Sequence, residues 1–390
     1  MAVRTTMDDV LEQAVTSGTV PGVVALAADD TGVIYEGAFG SREAGADVPM
    51  TTDTVFWIAS MTKAITSVAA VQQVERGNLS LDAPIGEILP ELASPQVLEG
   101  FDSAGAPILR PARRPITLRQ LLTHTAGFSY HIWSADIARY LESQSVPGIV
   151  SCQNAALALP LLFDPGDRWE YGINIDWAGK AVEKVSGLLL DEYMRRNIFE
   201  PLGMSDTTFV PTAEQRERRS RMHLRTADGS LAVIDFDMPS DPEFFMGGGG
   251  LFSTGRDYLR FLRALLNGGS LDGGTILRPE TVEEMGRNHM GDLKVGLLRT
   301  VDPISSNDAE LFPGMSKQWG LAYMINNEEA ATGRSAGSLA WAGLANTYYW
   351  LDPTKRVTGV ILTQILPFAD AGVLDTFARF ERAVYDLATN

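Results

Sequence analysis

The chain has 390 residues, 45% hydrophobic and 21% charged, which describes a soluble globular protein with room for one or two domains and a large core. Lysine and arginine total 32 against 49 aspartates and glutamates, and the resulting formal charge of −17 repels phosphate backbones and anionic bilayers, which sets aside nucleic-acid and membrane-surface binding. The single cysteine, Cys152, excludes an internal disulfide; with no apolar leader at the N-terminus and no apolar run approaching the roughly 20 residues of a membrane span, a cytoplasmic protein is expected.

In chain order, Thr6-Met-Asp-Asp9 reads as a capping box, and Val10, Leu11, Ala14 and Val15 follow at helical spacing, which predicts an amphipathic opening helix. Val23–Ala28 and Val33–Gly40 are β-prone runs around a turn at 29–32 and predict an antiparallel hairpin. Ser60–Arg76 is helical by periodicity, with Met61, Ala64, Ile65, Val68 and Val71 on one side and a stop at Gly77-Asn78. From Leu81 to Asp308 the pattern is mostly helical and punctuated by proline and glycine, as in Leu118–Thr123, Asp176–Val185 and Asp257–Asn267. Strand-like composition returns at Gly320–Ile325, Ser338–Ala342, Thr347–Leu351 and Val357–Thr363, before a closing helix over Val373–Leu387. Strands at both ends predict a discontinuous α/β domain (1–80 and 316–390), an antiparallel sheet flanked by helices, interrupted by a mostly helical domain (81–315).

Ser60-Met-Thr-Lys63 places a hydroxyl and an ammonium three residues apart, on the same side of a helix. A lysine beside a serine can take its proton or stabilise the alkoxide, and a serine opening the helix presents its backbone N–H to a developing anion. Taken alone, the pattern is ordinarily an N-capping serine with a solvated lysine. Downstream, Phe163–Tyr171 runs through a turn and delivers a tyrosine ahead of a helix, where its phenol could act as general base with Lys63. In Trp341-Ala-Gly343 the glycine lets a strand approach a substrate closely and offers the next N–H, that of Leu344, to an oxyanion.

Competing signals are weaker. Gly333-Arg-Ser-Ala-Gly337 has the spacing of a nucleophile elbow around Ser335, but all four histidines precede it, against the serine-then-histidine order that elbow requires. The histidines and Cys152 show no ligand spacing, so neither a metal nor a cofactor is expected. His124 is expected to organise a loop near the site, and His131, Phe128, Tyr130 and Trp133 are candidates to line a pocket. The five arginines of Arg216–Arg225 read as an ion-paired face, and Gly247–Gly250 as a close backbone approach beside the cleft.

Together, Phe56–Lys63, Ile116–Gly127, Tyr171, Pro201–Met204, Gly247–Leu251, Ser253–Asp257 and Trp341-Ala-Gly343 resemble the serine hydrolases of the class C β-lactamase and penicillin-binding-protein superfamily, and within it the family VIII carboxylesterases. The resemblance spans almost the whole chain and implies a β-lactamase/transpeptidase-like fold. It also implies Ser60 as nucleophile, Lys63 as its proton partner, Tyr171 as general base, and an oxyanion hole from the N–H groups of Ser60 and Leu344. Two departures from the lactamase pattern stand out: Ile173 occupies the asparagine place of Tyr-x-Asn, with Asn174 one residue later, and Trp341 replaces the lysine of Lys-Thr-Gly. Loss of that lysine removes the anchor for a substrate carboxylate and favours uncharged groups against an aromatic wall. The expected protein is a serine carboxylesterase for small or medium uncharged esters, with Trp341, Gly343, Phe128, Tyr130 and Trp133 contacting substrate. Acyl transfer and weak β-lactamase activity are alternatives at the same site, and the oligomeric state is not readable.

Overall fold

The expected N-terminal hairpin forms from β1 (Gly22–Asp29) and β2 (Val33–Gly40), its turn closed by Asp29, whose Oδ1 accepts from the Thr31 and Gly32 amides at 2.8 and 2.9 Å. The C-terminal part of the chain supplies β3 (Lys317–Trp319), β4 (Met324–Asn326), β5 (Leu339–Gly343), β6 (Thr347–Asp352) and β7 (Val357–Leu362). In the computed structural model, which describes residues 2–388, these seven strands form one sheet in the order β3-β4-β5-β6-β7-β1-β2, every pair antiparallel. Gly320–Ile325 is not one strand as expected. The chain reverses there between β3 and β4, the Gly320 amide bonding the Tyr323 carbonyl at 2.8 Å.

Five helices position the rest: α1 (Ala2–Thr16), α2 (Thr62–Glu75), α3 (Asn174–Ser186), α4 (Gly255–Leu266) and α5 (Ala371–Ala388). α1 begins at Ala2, so Thr6 lies within the helix and does not cap it. Docking carries the helix past that local signal: the Tyr35 hydroxyl on β2 bonds Asp8 at 2.7 Å. On β6 the residues alternate between layers, Trp350 packing against Phe377 and Phe380 of α5 and Tyr349 against Tyr258 of α4. Helices on both faces explain why β6 and β7 are apolar runs without polar alternation.

α4, which lies inside 81–315, packs on β1 and β7, with Gly255 seated against Leu26. That same stretch also holds two hairpins, Gln96–Phe101 with Pro107–Pro111 and Met222–Arg225 with Leu231–Ile234, in addition to its helices. α2 is buried on every side from Thr62 to Gln73 and not on one stripe, because α3 and the segments Leu190–Met194 and Arg195–Phe199 pack on it while the turn that leads into it lies against β5 and β6. Two of its buried polar side chains are paired across the packing, Thr66 Oγ1 with the Gly247 carbonyl at 2.6 Å and Gln73 Nε2 with the Tyr193 hydroxyl at 2.7 Å. Buried Ile65 and Val68 contribute roughly 1.5–3 kcal/mol each to holding this helix in place.

Candidate active site

Ser60 sits in a single 3₁₀ turn, Ala59–Met61, that leads into α2, so it precedes the helix without capping it. Ala59 takes φ = +43°, a conformation that costs a non-glycine residue on the order of 1 kcal/mol and presents the serine at a sharp bend. Behind it β5 comes within backbone contact: a Cβ on Gly343 would lie 2.4 Å from the Ile58 carbonyl oxygen. The close approach of Gly343 is made to the chain's own backbone, at the turn that carries Ser60.

Lys63 lies one turn on and is 1% exposed. Its Nζ is 3.0 Å from Ser60 Oγ, 3.0 Å from the Tyr130 hydroxyl and 2.6 Å from the Gly248 carbonyl. Gly248 also donates its N–H to Asp176 Oδ1 at 2.8 Å, so one residue links the buried amine to a buried carboxylate. No side chain fits there, since a Cβ on Gly248 would lie 2.5 Å from Asp176 Oδ2. Among the described residues that oxygen has no hydrogen-bond partner. Burial pushes the Lys63 amine down from the usual lysine range, with Asp176 pulling it back; burial likewise pushes Asp176 up, restrained by Lys63 and the Gly248 amide.

Tyr171 is also buried, its ring 4.6 Å from Lys63 Nζ, and its hydroxyl accepts from Trp341 Nε1 at 2.9 Å. Burial raises its pKa, opposed by the neighbouring Ser60 and Trp341 side chains, so the resting phenol keeps its proton. The group made a readier proton acceptor by its surroundings is Lys63. As a neutral amine it can donate to Gly248 and Tyr130 and accept from Ser60, which uses its two hydrogens and one lone pair.

In front of Ser60 lies a cavity of about 220 Å³ with largely apolar walls from Trp57, Ile132, Trp133, Ile149, Phe236 and Met246. Tyr130, His131 and Leu344 border it as well. Three of the residues expected to contact substrate, Gly343, Phe128 and Trp341, do not border this cavity. Phe128 stacks on Trp177 and borders a separate hollow, and Trp341 is wedged between Tyr171 and Trp319 with its N–H committed to the phenol. His124 is fully buried, held neutral by burial and by Lys63, and braces Tyr171 ring to ring at 4.8 Å. Asn174 turns to His124 Nδ1 at 3.0 Å and, among the described residues, makes no hydrogen bond with Ser60 or Lys63. Ser335 is remote, its amide bonding Asp352 and its turn packing on Tyr385 of α5. Asp176 and the Gly248 carbonyl were not among the expected site residues.

Residues 7–383 match the family described as Beta-lactamase. The chain belongs to the beta-lactamase family. It is 34% identical to the lovastatin esterase of Penicillium rubens over 97% of this chain and 98% of that protein, and 35% identical to the monacolin J acid methylbutanoyltransferase of Aspergillus terreus over 97% and 95%. Unliganded simvastatin synthase from Aspergillus terreus superposes with a TM-score of 0.85 at 32% identity, covering 99% of each chain. This beta-lactamase family member is accordingly an enzyme of the serine hydrolase type, in a group that contains esterases and acyltransferases. Among the described residues, no helix is long and apolar enough to cross a membrane.

Proposed function

We propose that the protein cleaves carboxylic esters of small to medium uncharged acyl groups through an acyl-enzyme on Ser60. The observation that carries this reading is that Ser60 borders an apolar cavity while its hydroxyl lies 3.0 Å from Lys63 Nζ, which in turn sits 4.6 Å from the Tyr171 ring. At about 220 Å³ the cavity falls below the roughly 300–1,000 Å³ of sites that enclose a whole drug-sized ligand, which suits the acyl portion alone.

Ser60 Oγ attacks the ester carbonyl as its proton passes to the neutral Lys63 amine, forming the new C–O bond. The N–H groups of Ser60 and Leu344 receive the tetrahedral oxyanion; both residues border the same cavity. As the C–O bond to the alcohol breaks, the proton moves from Lys63 through the Tyr171 hydroxyl to the leaving oxygen. Tyr171 is thus a relay that begins and ends protonated, and Lys63 takes the base role expected for the phenol. A water molecule then repeats the sequence in reverse and frees the acid.

Acyl transfer to an alcohol is the second reading, favoured by the similarity to the Aspergillus terreus methylbutanoyltransferase. Incubating the protein with p-nitrophenyl butyrate, with and without an added alcohol, tests both readings. Wild type should release p-nitrophenol and carry a butyryl adduct that Ser60→Ala cannot form. Transfer is read from the share of butyrate recovered as the new ester. Undiminished turnover by Ser60→Ala overturns the proposal.

A further inference from the structure

Most of the wall of the cavity in front of Ser60 is apolar, so a polar side chain on it needs either a partner in the protein or a use for a ligand. Three of them have partners. Trp57 Nε1 donates to the Gly249 carbonyl at 2.7 Å, Trp133 Nε1 donates to Ser306 Oγ at 3.2 Å, and the Tyr130 hydroxyl is bonded to Lys63. His131 and Ser305 remain. Neither ring nitrogen of His131 has a hydrogen-bond partner among the described residues. Ser305 Oγ gives its hydrogen to Asp302 Oδ2 at 2.6 Å, which leaves the oxygen as an acceptor.

The backbone holds both residues in place. The Val301 amide bonds the carbonyl of Ile132, next to His131, at 2.9 Å, and the Ser305 carbonyl accepts from the Phe368 amide at 2.9 Å. Asp302 acts on both side chains: it fixes the Ser305 hydroxyl, and its charge opposes the burial that pushes the His131 imidazole below the usual histidine range. A neutral imidazole carries one N–H and one lone pair. The wall therefore offers a donor at His131 and an acceptor at Ser305. A hydroxyl satisfies both at once, a carbonyl can only accept, and an alkyl chain does neither.

We propose that His131 and Ser305 form a polar subsite in the acyl cavity that selects acyl chains carrying a hydroxyl at C3. The inference rests on the ester-cleaving reading above and adds a class of acyl group to it. With the ester carbonyl at Ser60, the His131 N–H donates to the acyl hydroxyl, and that hydroxyl donates to Ser305 Oγ. An unsubstituted chain displaces water from both side chains and returns no hydrogen bond, which is the physical basis of the preference. A cavity of about 220 Å³ holds a short chain, so the hydroxyl belongs close to the carbonyl.

The test compares p-nitrophenyl (R)- and (S)-3-hydroxybutyrate with p-nitrophenyl butyrate, each kcat/KM divided by the hydroxide-catalysed rate of the same ester. Wild type should prefer one hydroxy enantiomer over butyrate by about threefold to tenfold. His131→Phe and Ser305→Ala should each bring that ratio to about one or lower. The ratio sets two esters against each other on the same variant, so a loss of folded protein cancels. A wild-type ratio at or below one for both enantiomers, or the wild-type ratio preserved in either variant, overturns the proposal. The parent reading fails separately, if none of the three esters acylates Ser60. In that case the imidazole resonance of His131 on the Ser60→Ala protein, identified as the one of four that His131→Phe removes, still decides. 3-Hydroxybutyramide should shift it and butyramide should not; equal shifts, or none, overturn the proposal.

Discussion

Trp341 gives its indole N–H to the Tyr171 hydroxyl at 2.9 Å. This fixes which way the phenol can pass a proton, because one lone pair is occupied and the O–H is left for Ser60 and the substrate. Trp341→Phe keeps an aromatic ring between Tyr171 and Trp319 but removes the donor. The expected result is a fall in kcat of about tenfold with little change in KM, as for a hydrogen bond worth about 1.4 kcal/mol in the transition state. Steady-state kinetics on p-nitrophenyl butyrate measure it, and an unchanged kcat denies Trp341 this role.

Tyr171→Phe tests the relay itself. The ring contacts with His124, Trp133 and Trp341 survive, so the fold should persist by circular dichroism. Without the hydroxyl, kcat/KM should drop by about 10² to 10⁴, the range for a lost acid–base group. A rate within twofold of wild type would remove the phenol from the proton path.

Asp176→Asn addresses the buried charge that faces Lys63. Tyr130, Tyr171 and Cys152 also feel Asp176, but Lys63 is the opposite charge and responds most directly. A negative neighbour holds a proton on the lysine, so neutralising it lowers the lysine pKa further. Activity that needs the neutral amine is lost as pH falls, and in the variant that loss should begin at a lower pH. The pH profile of kcat/KM reads this directly; an acid limb that stays in place, or moves upward, contradicts Lys63 as the proton acceptor.

Gly343→Ala would place a Cβ 2.4 Å from the Ile58 carbonyl and 2.3 Å from Thr347 Oγ1. The nucleophile turn and β5 would have to part. The expected cost is about 1–3 kcal/mol of stability, seen as a lower Tm, together with a reduced kcat from a displaced Ser60. Wild-type values of both would show that this contact is slack.

The serine–lysine pair was readable because three-residue spacing on a helix is a local property, and Tyr171 because a turn signature delivers it. Asp176 was not, since an acid in the first turn of a helix is ordinary, and only the fold places it behind Lys63. The Gly248 carbonyl has no side chain to announce it. Trp341 was correctly placed on a strand near the site, yet whether its indole meets substrate or Tyr171 depends on which face of β5 it occupies. The N-terminal hairpin, β5 to β7 and the terminal helix were legible from composition, whereas β3 was missed and the complete burial of α2 arises from layers that come together only in the fold.

Ser60 and Leu344 wall one cavity although most of the chain lies between them, and β1 pairs with β7 from the far end. During synthesis the Ser60 hydroxyl therefore emerges from the ribosome long before the strand that completes its surroundings. A nascent or prematurely terminated chain carries an unassembled centre, and the acylation proposed for Ser60 would begin only when translation is almost finished.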